Sequence, residues 1–262
     1  MITILGKTII NFIKNISGVI KLLVDILYWL IIGPFKGKAA QRQGIFNQMI
    51  FTGLRSMPIV FFVTIFTGVV LAMQSAYQLQ KMGAVLYVAS LVAVSLCREL
   101  GPVLTALVVA GRVGSAFAAE LGTMKVSEQI EALETMAINP VRFLAVPRFI
   151  ALFFMLPCLT ILGNLSGMVG GYLVGVYSLN INPDLYIQTT FKYLEIKDIY
   201  TGITKSFVFA VIIALIGCFE GLNTKGGAEG VGRATTRSVV ISFILIILAD
   251  CIITSIFYFS KL

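Results

Sequence analysis

Two adjacent charged residues interrupt one of the most apolar parts of the sequence. Arg98 and Glu99 lie between the apolar runs 85–97 and 102–111, so a membrane-spanning helix holds them inside or near the bilayer. Ionisable side chains are costly there and mark functional sites by default. The guanidinium of Arg98 stays charged and carries several donors, which suits a phosphate group. The sequence therefore predicts that Arg98 binds a phosphate-bearing substrate.

Polar residues elsewhere extend this candidate site or compete with it. Glu99 follows Arg98 about 100° around a helix, so the two side chains need not point together. Four side chains near the far end of the first predicted spanning segment are expected to contribute to the same substrate site: Leu71, Gln74, Ser75 and Gln78. The alternative role for Arg98 is a structural ion pair with a neighbouring helix, through Glu220 or Asp250.

A second polar segment, residues 126–139, contains three glutamates and no lysine or arginine. Ser127 is a suitable N-cap, glutamates near the start suit the helix dipole, and Pro140 ends the segment. Ile130 and Leu133 recur at helical spacing, which predicts a short helix with an apolar edge beside an acidic one. Such a helix is either a solvated connector or a docking surface for a partner protein.

The composition identifies the class of protein that must position these residues. The chain has 262 residues, of which 58% are hydrophobic and 12% charged, and its mean hydropathy is +0.96. Soluble domains are about 45–50% apolar and about 25% charged. Several stretches reach the roughly 20 apolar residues that span a bilayer. We therefore predict an all-α integral membrane protein with no nucleic-acid partner.

The N-terminal segment 1–34 has a polar stripe of its own. Six residues recur at steps of four and three, which places them on one helical face: Lys7, Asn11, Lys14, Gly18, Lys21 and Asp25. A helix of this kind lies in the membrane interface with its lysines toward anionic headgroups. The alternative is an ordinary spanning helix, although three regularly spaced lysines are awkward at its centre. Gly33-Pro34 ends the segment.

Five spanning segments follow within 58–259. Their predicted limits are 58–79, 84–110, 149–179, 203–221 and 239–259, with a small-residue helix continuing the second to Gly122. Gly101-Pro102 is the predicted kink, because proline removes a backbone donor and crowds the preceding turn. The whole chain, 1–262, is expected to form one domain.

Basic residues predict the orientation of these segments. With the N-terminus inside, fourteen lysines and arginines, Arg148 among them, fall in cytoplasmic segments. Five, Lys205 among them, fall in outer segments, and Arg98 is left in the membrane. Because cytoplasmic loops carry the excess of basic residues, the N-terminus is predicted to be cytoplasmic and the C-terminus periplasmic. The acidic helix then lies in the cytoplasm.

Other patterns limit the chemistry that the chain can perform. It has no histidine and no G-x-x-x-x-G-K-[ST] motif, so no cofactor, metal site or catalytic role is expected. The glycine cluster 226–232 is predicted to be a flexible cytoplasmic turn. Small residues repeat every four positions in 110–122 and 163–175, which predicts close helix packing, either within one subunit or between two copies.

These features resemble the MlaE-type permeases, the membrane subunits of MCE-associated ABC lipid transporters. The resemblance rests on these stretches: RELGP at 98–102, AGRVGSA at 110–116, AELGTM at 119–124, EQIEALE at 128–134 with Met136-Ala137, NP at 139–140, and RATTRSVV at 233–240. It implies movement of phospholipid or a related lipid between the bacterial inner membrane and a periplasmic MCE-domain partner, maintaining outer-membrane lipid asymmetry.

The resemblance also implies an assembly. Its expected parts are a permease homodimer around a central cavity, a separate ABC ATPase subunit and a small STAS-type cytoplasmic subunit. The acidic helix corresponds to the one that docks into the ATPase, and its expected coupling residues are Glu128, Gln129, Ile130, Glu131, Ala132, Leu133, Glu134 and Met136. The competing hypothesis is an ion- or proton-coupled carrier with a charge relay through Arg98, Glu99, Glu220 and Asp250.

Overall fold

The computed structural model describes residues 2–35 and 42–259, with side chains described for 14–33 and 42–259. This part of the chain is almost entirely helical and has no strand. Its α-helices are α1 (Ile2–Phe35), α2 (Arg42–Met49), α3 (Met57–Lys81), α4 (Tyr87–Ser95), α5 (Gly101–Val109), α6 (Ser115–Val126), α7 (Gln129–Thr135), α8 (Val146–Tyr177), α9 (Pro183–Tyr193), α10 (Ile196–Leu222) and α11 (Gly227–Phe259). π-Helical turns lie at Ile50–Leu54, Leu96–Leu100, Ala110–Gly114 and Val141–Ala145.

Long apolar runs confirm the prediction of an all-α integral membrane protein. Six runs in the described residues are long and apolar enough to cross a membrane: Lys14–Gly33, Arg42–Lys81, Tyr87–Val126, Val141–Tyr177, Ile196–Leu222 and Gly227–Phe259. The last five correspond to the five predicted spanning segments. The first belongs to α1, whose interfacial position stays a prediction. Lys7 and Asn11, two members of its polar stripe, lie outside the described side chains.

Several elements are longer than the sequence predicted, or were not predicted at all. The glycine cluster is mostly helical, because α11 begins at Gly227, so its prediction as a flexible turn was wrong. Only Gly226 and Gly227 within it have positive φ angles, of 92° and 67°. α9 was missed although Asn182 caps it, with its Oδ1 accepting from the backbone N–H of Asp184 at 2.9 Å.

The residues divide into two compact units, and the long helices contribute to both. Unit one contains Met1–Met49, Ala110–Leu152 and Val211–Ser242. Its helices pack closely through small residues. A Cβ added at Gly217 would lie 3.0 Å from the carbonyl oxygen of Gly114, which also accepts a hydrogen bond from Ser238 at 3.2 Å. The first small-residue repeat therefore packs within the subunit.

Unit two contains Ile50–Val109, Phe153–Ala210 and Phe243–Leu262. The second glycine repeat packs inside it, since a Cβ added at Gly68 would lie 1.9 Å from the carbonyl oxygen of Gly167. A buried hydrogen bond of 2.5 Å joins the hydroxyls of Thr64 and Ser166 across the same pair of helices, α3 and α8. Both repeats thus have the intrasubunit role that was one of their two predicted alternatives.

Candidate functional site

The candidate site in unit two begins at a widened turn of the second spanning run. The π-helical turn Leu96–Leu100 carries Arg98 and Glu99 and directly precedes Gly101, where the sequence predicted an irregularity. α10 approaches this turn closely. A Cβ added at Gly202 would lie only 2.0 Å from the carbonyl oxygen of Cys97. Gly202 therefore lets α10 contact the backbone of the turn.

This close approach allows Arg98 to pair with α10. Its Nη1 lies 3.6 Å from Oδ1 of Asp198, one helical turn before Gly202. Asp198 is almost buried, and its other oxygen accepts the backbone N–H of Glu195 at 3.2 Å. Arg98 remains 39% exposed, so the long ion pair leaves much of the guanidinium free for another anion.

The predicted partners of Arg98 were wrong, because the ion pair is made by Asp198. Asp250 belongs to unit two but contacts Lys205 instead, with 2.9 Å between Oδ1 and Nζ. Glu220 belongs to unit one and pairs with Arg237, at 3.7 Å between Oε2 and Nε. Two charges of the hypothetical relay, Glu99 and Asp250, thus share Lys205, whereas Arg98 and Glu220 pair with other residues.

Lys205 joins two further carboxylates of unit two, Glu99 and Asp250. Its side chain is fully buried, and its ammonium donates to a carboxylate oxygen of Glu99 and, at 2.7 Å, to the hydroxyl of Thr254. The hydroxyl of Thr254 also lies 3.3 Å from each carboxylate oxygen of Glu99. Together with Asp250, one turn before Thr254 on α11, these groups form a compact cluster.

We call Arg98, Glu99, Asp198, Lys205, Asp250 and Thr254 the ion network. Its charged members are two cations and three carboxylates, all within candidate membrane spans. Removing one partner of a fully buried ion pair costs about 3–5 kcal/mol, and the cost is lower here because Arg98 and Glu99 are 39% and 36% exposed. Lys205 pairs with Glu99, and Arg98 is the more exposed of the two cations in the ion network.

The predicted substrate-site residues of α3 do not share one environment. Gln74 and Gln78 are exposed, which suits a surface that meets substrate. Ser75 is buried. Leu71 packs against a hydrophobic cluster of residues from α3, α4, α8 and the π-helical turn that follows α4: Ala72, Ala76, Val88, Val92, Leu96 and Val174. Substrate binding by these four residues stays a prediction, and their exposure favours the two glutamines.

The acidic segment in unit one forms α7, but its ends differ from those predicted. The Ser127 hydroxyl donates to the carbonyl of Thr123 at 2.8 Å, so its prediction as the N-cap was wrong. Glu128 precedes the helix in a left-handed conformation, with a φ of 58°. α7 also ends before Pro140, because Ala137 takes a φ of 59°.

The side chains of α7 divide into an anchored edge and an open edge. Ile130 is buried, and Glu131 accepts a hydrogen bond from Lys125 at the end of α6, which holds the pKa of that carboxyl below its usual range. Leu133 is half-buried. Among the predicted coupling residues, the exposed ones are Glu128, Gln129, Ala132, Glu134 and Met136. The open edge thus presents two carboxylates, Glu128 and Glu134, that form no ion pair with a described residue, and apolar groups lie beside them.

A buried arginine, Arg148, joins the helices that flank α7 in sequence. The sequence predicted only a basic residue of a cytoplasmic segment at this position. Arg148 of α8 donates to Glu120 of α6 at 2.8 Å and to the carbonyl of Leu144 at 2.8 Å. Its guanidinium lies 5.7 Å from the ring centre of Phe117. These contacts hold α6 and α8 together on either side of the acidic segment.

Comparisons with known proteins agree with this architecture. The family model described as Permease MlaE matches residues 45–256. A probable ABC transporter permease protein of Rickettsia typhi is 43% identical over 97% of this chain and 96% of that protein. One from Synechocystis sp. is 44% identical over 80% of each chain. Protein TRIGALACTOSYLDIACYLGLYCEROL 1, chloroplastic, of Arabidopsis thaliana is 38% identical over 85% of this chain and 63% of that protein. With its family model matched across most of its length, this multi-pass membrane chain belongs to the MlaE permease family.

Proposed function

We propose that the chain is the permease subunit of an ABC transporter that moves a phospholipid or related lipid. The transfer runs between the bacterial inner membrane and a periplasmic MCE-domain partner, and it maintains outer-membrane lipid asymmetry. The observation that carries the proposal is Arg98, which is inside a candidate span yet 39% exposed. A guanidinium held from one side by Asp198 can still bind a headgroup phosphate through its free donors.

The energy for transport comes from a separate ABC ATPase subunit, since the chain has no P-loop motif. The open edge of α7 is the proposed docking surface for that ATPase, with Glu128 and Glu134 as its exposed carboxylates. A small STAS-type subunit completes the cytoplasmic part of the complex. In this arrangement α7 transmits the motion of the ATPase to the membrane helices.

A homodimer of permeases is the proposed core of the transporter. Support comes from α11, whose apolar side chains remain largely exposed in the single chain, among them Ile244, Leu248, Ile252 and Ile256 at every fourth residue. Such a stripe lies along one face of the helix and suits contact with a second apolar helix. Native mass spectrometry of the purified complex counts the permease copies directly, and a single copy per complex contradicts the homodimer.

Variants of Arg98 and Asp198 distinguish lipid binding from a purely structural ion pair. We expect Arg98→Gln to abolish lipid capture by a photo-crosslinker at Gln74, and Arg98→Lys to weaken it, because lysine lacks the planar fork. Asp198→Asn frees the guanidinium, so capture should persist or increase. A purely structural pair predicts equal damage from Arg98→Gln and Asp198→Asn, and normal capture by an assembled Arg98→Gln variant contradicts the proposal.

The docking role of α7 is tested by reversing the charge of only the two exposed carboxylates of its open edge. Glu128→Lys with Glu134→Lys should release the ATPase while the membrane part stays folded, because neither residue is in a described ion pair of unit one. Glu131 is left unchanged since it pairs with Lys125. Glu195→Lys, at an exposed position in unit two, is the control. Normal ATPase retention by the double variant refutes this role.

The proposed orientation places α7 in the cytoplasm and the α8–α9 connection in the periplasm. In a background without the four native cysteines, Ser127→Cys should react with a membrane-impermeant reagent only from the cytoplasmic side. Ser178→Cys should react only from the periplasmic side. Both serines are exposed, so access is limited by the membrane. The opposite labelling pattern overturns the orientation and with it the position of the ATPase.

The ion network is the observation that favours the alternative, an ion- or proton-coupled carrier. Carboxylates paired with a buried lysine inside candidate spans are a feature of proton pathways. The test is transport by the permease alone in proteoliposomes with an imposed proton gradient. ABC-type coupling predicts no gradient-driven transport and full dependence on ATP and the ATPase. Gradient-driven transport without ATP would support the carrier and contradict the ABC proposal.

A further inference from the structure

A basic cavity of about 540 Å³ lies within unit one, apart from the groups assigned to transport. It is lined by α1, the end of α10 and the start of α11. Four cations and one carboxylate face it: Lys14, Lys225, Arg233, Arg237 and Glu220. The cavity is therefore strongly positive and large enough for a phosphate group with its substituents.

The turn between α10 and α11 builds one wall of this basic cavity. Gly226 and Gly227 have φ angles of 92° and 67°, which favour glycine and allow the chain to reverse. A Cβ added at Gly230 would lie 2.0 Å from the carbonyl oxygen of Lys225. The absence of that Cβ lets the turn fold onto the first turn of α11, so Lys225 is held near Arg233.

The arginines and the lysines of the cavity have different surroundings. Arg237 lies 3.7 Å from Glu220, and Arg233 lies 3.4 Å from Glu229, so both guanidiniums have carboxylate partners. Lys14 and Lys225 make no ion pair with any residue whose side chain the structure describes. The two lysines are the cations that an incoming anion can neutralise without breaking an existing pair.

The cavity also lies at the level where candidate membrane spans begin and end. One candidate span ends at Leu222 and the next begins at Gly227, and the cavity lies at the turn between them. Headgroups of membrane lipids occupy this level, just outside the hydrocarbon core. An anion available there in a membrane is the phosphate of a lipid headgroup.

We propose that the basic cavity binds a phosphate group, supplied by the headgroup of an anionic phospholipid. Lys14 and Lys225 provide the principal attraction, and the two arginines add donors at the back of the cavity. This binding site is independent of the proposed contact at Arg98, so either proposal can fail alone. A basic residue near an anionic surface contributes roughly fivefold to binding, which predicts about a 25-fold loss when both lysines are neutralised.

The test uses the full-length protein in nanodiscs of phosphatidylcholine with a minor fraction of phosphatidylglycerol. After detergent extraction, mass spectrometry measures which lipids remain bound. Lys14→Gln with Lys225→Gln should lose the retained phosphatidylglycerol, whereas Lys14→Arg with Lys225→Arg should keep it. The matched control is Lys21→Gln with Lys192→Gln, which removes the same charge from residues that do not line this cavity.

A second measurement distinguishes a lipid headgroup from free phosphate. Inorganic phosphate is added to protein in nanodiscs of phosphatidylcholine alone, and its ³¹P line width is recorded. Broadening that is lost in the glutamine double variant, without enrichment of phosphatidylglycerol, assigns the phosphate site to a soluble ligand. Retention of phosphatidylglycerol equal to wild type in that variant, or equal loss in the control, overturns the proposal.

Discussion

Replacing Gly202 with alanine tests the close contact between α10 and the Leu96–Leu100 turn, on which the Arg98–Asp198 and Glu99–Lys205 ion pairs depend. On α10, Gly202 lies between Asp198 and Lys205, which pair with the adjacent residues Arg98 and Glu99. The added Cβ would be 2.0 Å from the carbonyl oxygen of Cys97, whereas real Cβ atoms essentially never approach within 3.0 Å. The two backbones must therefore separate by about 1 Å, because no rotamer change can relieve the contact.

The size of the effect follows from two opposing contributions. Alanine favours a helix over glycine by about 0.5–1 kcal/mol. Overpacking of a close contact costs about 1–3 kcal/mol. A separation of this size also stretches the Arg98–Asp198 ion pair, which is already 3.6 Å long. We expect a net loss of about 1–2 kcal/mol in stability, and a larger proportional loss of lipid transfer because Arg98 and Glu99 are both displaced.

Thermal unfolding in nanodiscs and lipid transfer by the reconstituted transporter measure these two effects. Gly232→Ala is the matched control, since an added Cβ there meets no atom within 4 Å. This variant should be as stable as wild type or more stable by up to about 1 kcal/mol. If Gly202→Ala has the unfolding temperature and the transfer rate of wild type, the close approach of α10 does not position the ion network, and the reasoning fails.

Three further outcomes are expected. Lys205→Met should destabilise the fold by up to about 3 kcal/mol, because Glu99 and Asp250 are left without their cation but are partly exposed. Adding Glu99→Gln with Asp250→Asn should restore much of the loss, and equal stability of Lys205→Met and wild type in thermal unfolding refutes this. Asn182→Ala should cost about 1 kcal/mol by removing the cap of α9, seen as faster hydrogen exchange confined to that helix. The hydrogen bond from Lys125 lowers the pKa of Glu131 in the folded state, so ionised Glu131 stabilises the fold fully above the usual glutamate pKa. This stabilisation is lost as the pH falls through the lowered pKa of the folded state, and the protection of α7 from hydrogen exchange should fall over the same range. Glu131→Gln should remove this pH dependence.

Hydropathy and spacing were sufficient to predict the class of the protein and most of its spans. Apolar length alone located the five spanning segments, since each needs roughly 20 apolar residues. The Gly101-Pro102 pair also located an irregular turn, although the widened residues are Leu96–Leu100, just before it. A π-helical turn differs from an α-helix by one inserted residue, and hydropathy does not reveal which turn of a helix carries that residue.

α9 shows a signal that was present and could have been used. Asn182-Pro183-Asp184 combines a favoured N-cap, proline in the first turn and an acidic residue near the helix start. Hydropathy did not predict this helix because its 11 residues are far fewer than the roughly 20 that span a bilayer. The predicted starts of α7 and α11 were also wrong. Each helix begins beside a residue with a positive φ angle, Glu128 or Gly227, and such a conformation depends on tertiary contacts that hydropathy does not report.

Lys205 was the main omission from the predicted site. It lies at the edge of a predicted span, and the charge count assigned it to the periplasmic side, whereas its side chain is fully buried. Asp198 and Lys205 are seven residues apart, which places them on one face of α10. That spacing alone could not identify their partners, because the contacts with Arg98 and Glu99 join elements about 100 residues apart in the sequence, as the 106-residue separation of Glu99 and Lys205 illustrates.

The two predicted roles of Arg98 are compatible once burial is considered. Asp198 is nearly enclosed and is also held by a backbone N–H, so it remains in place when the arginine moves. Arg98 is far more exposed, and its ion pair is long, so a headgroup phosphate can share or replace that partner at modest cost. Glu99 differs because Lys205 and Thr254 both hold it. The network therefore pairs each of its carboxylates and leaves Arg98 as its more exposed cation, which supports the proposed contact of Arg98 with an anionic headgroup.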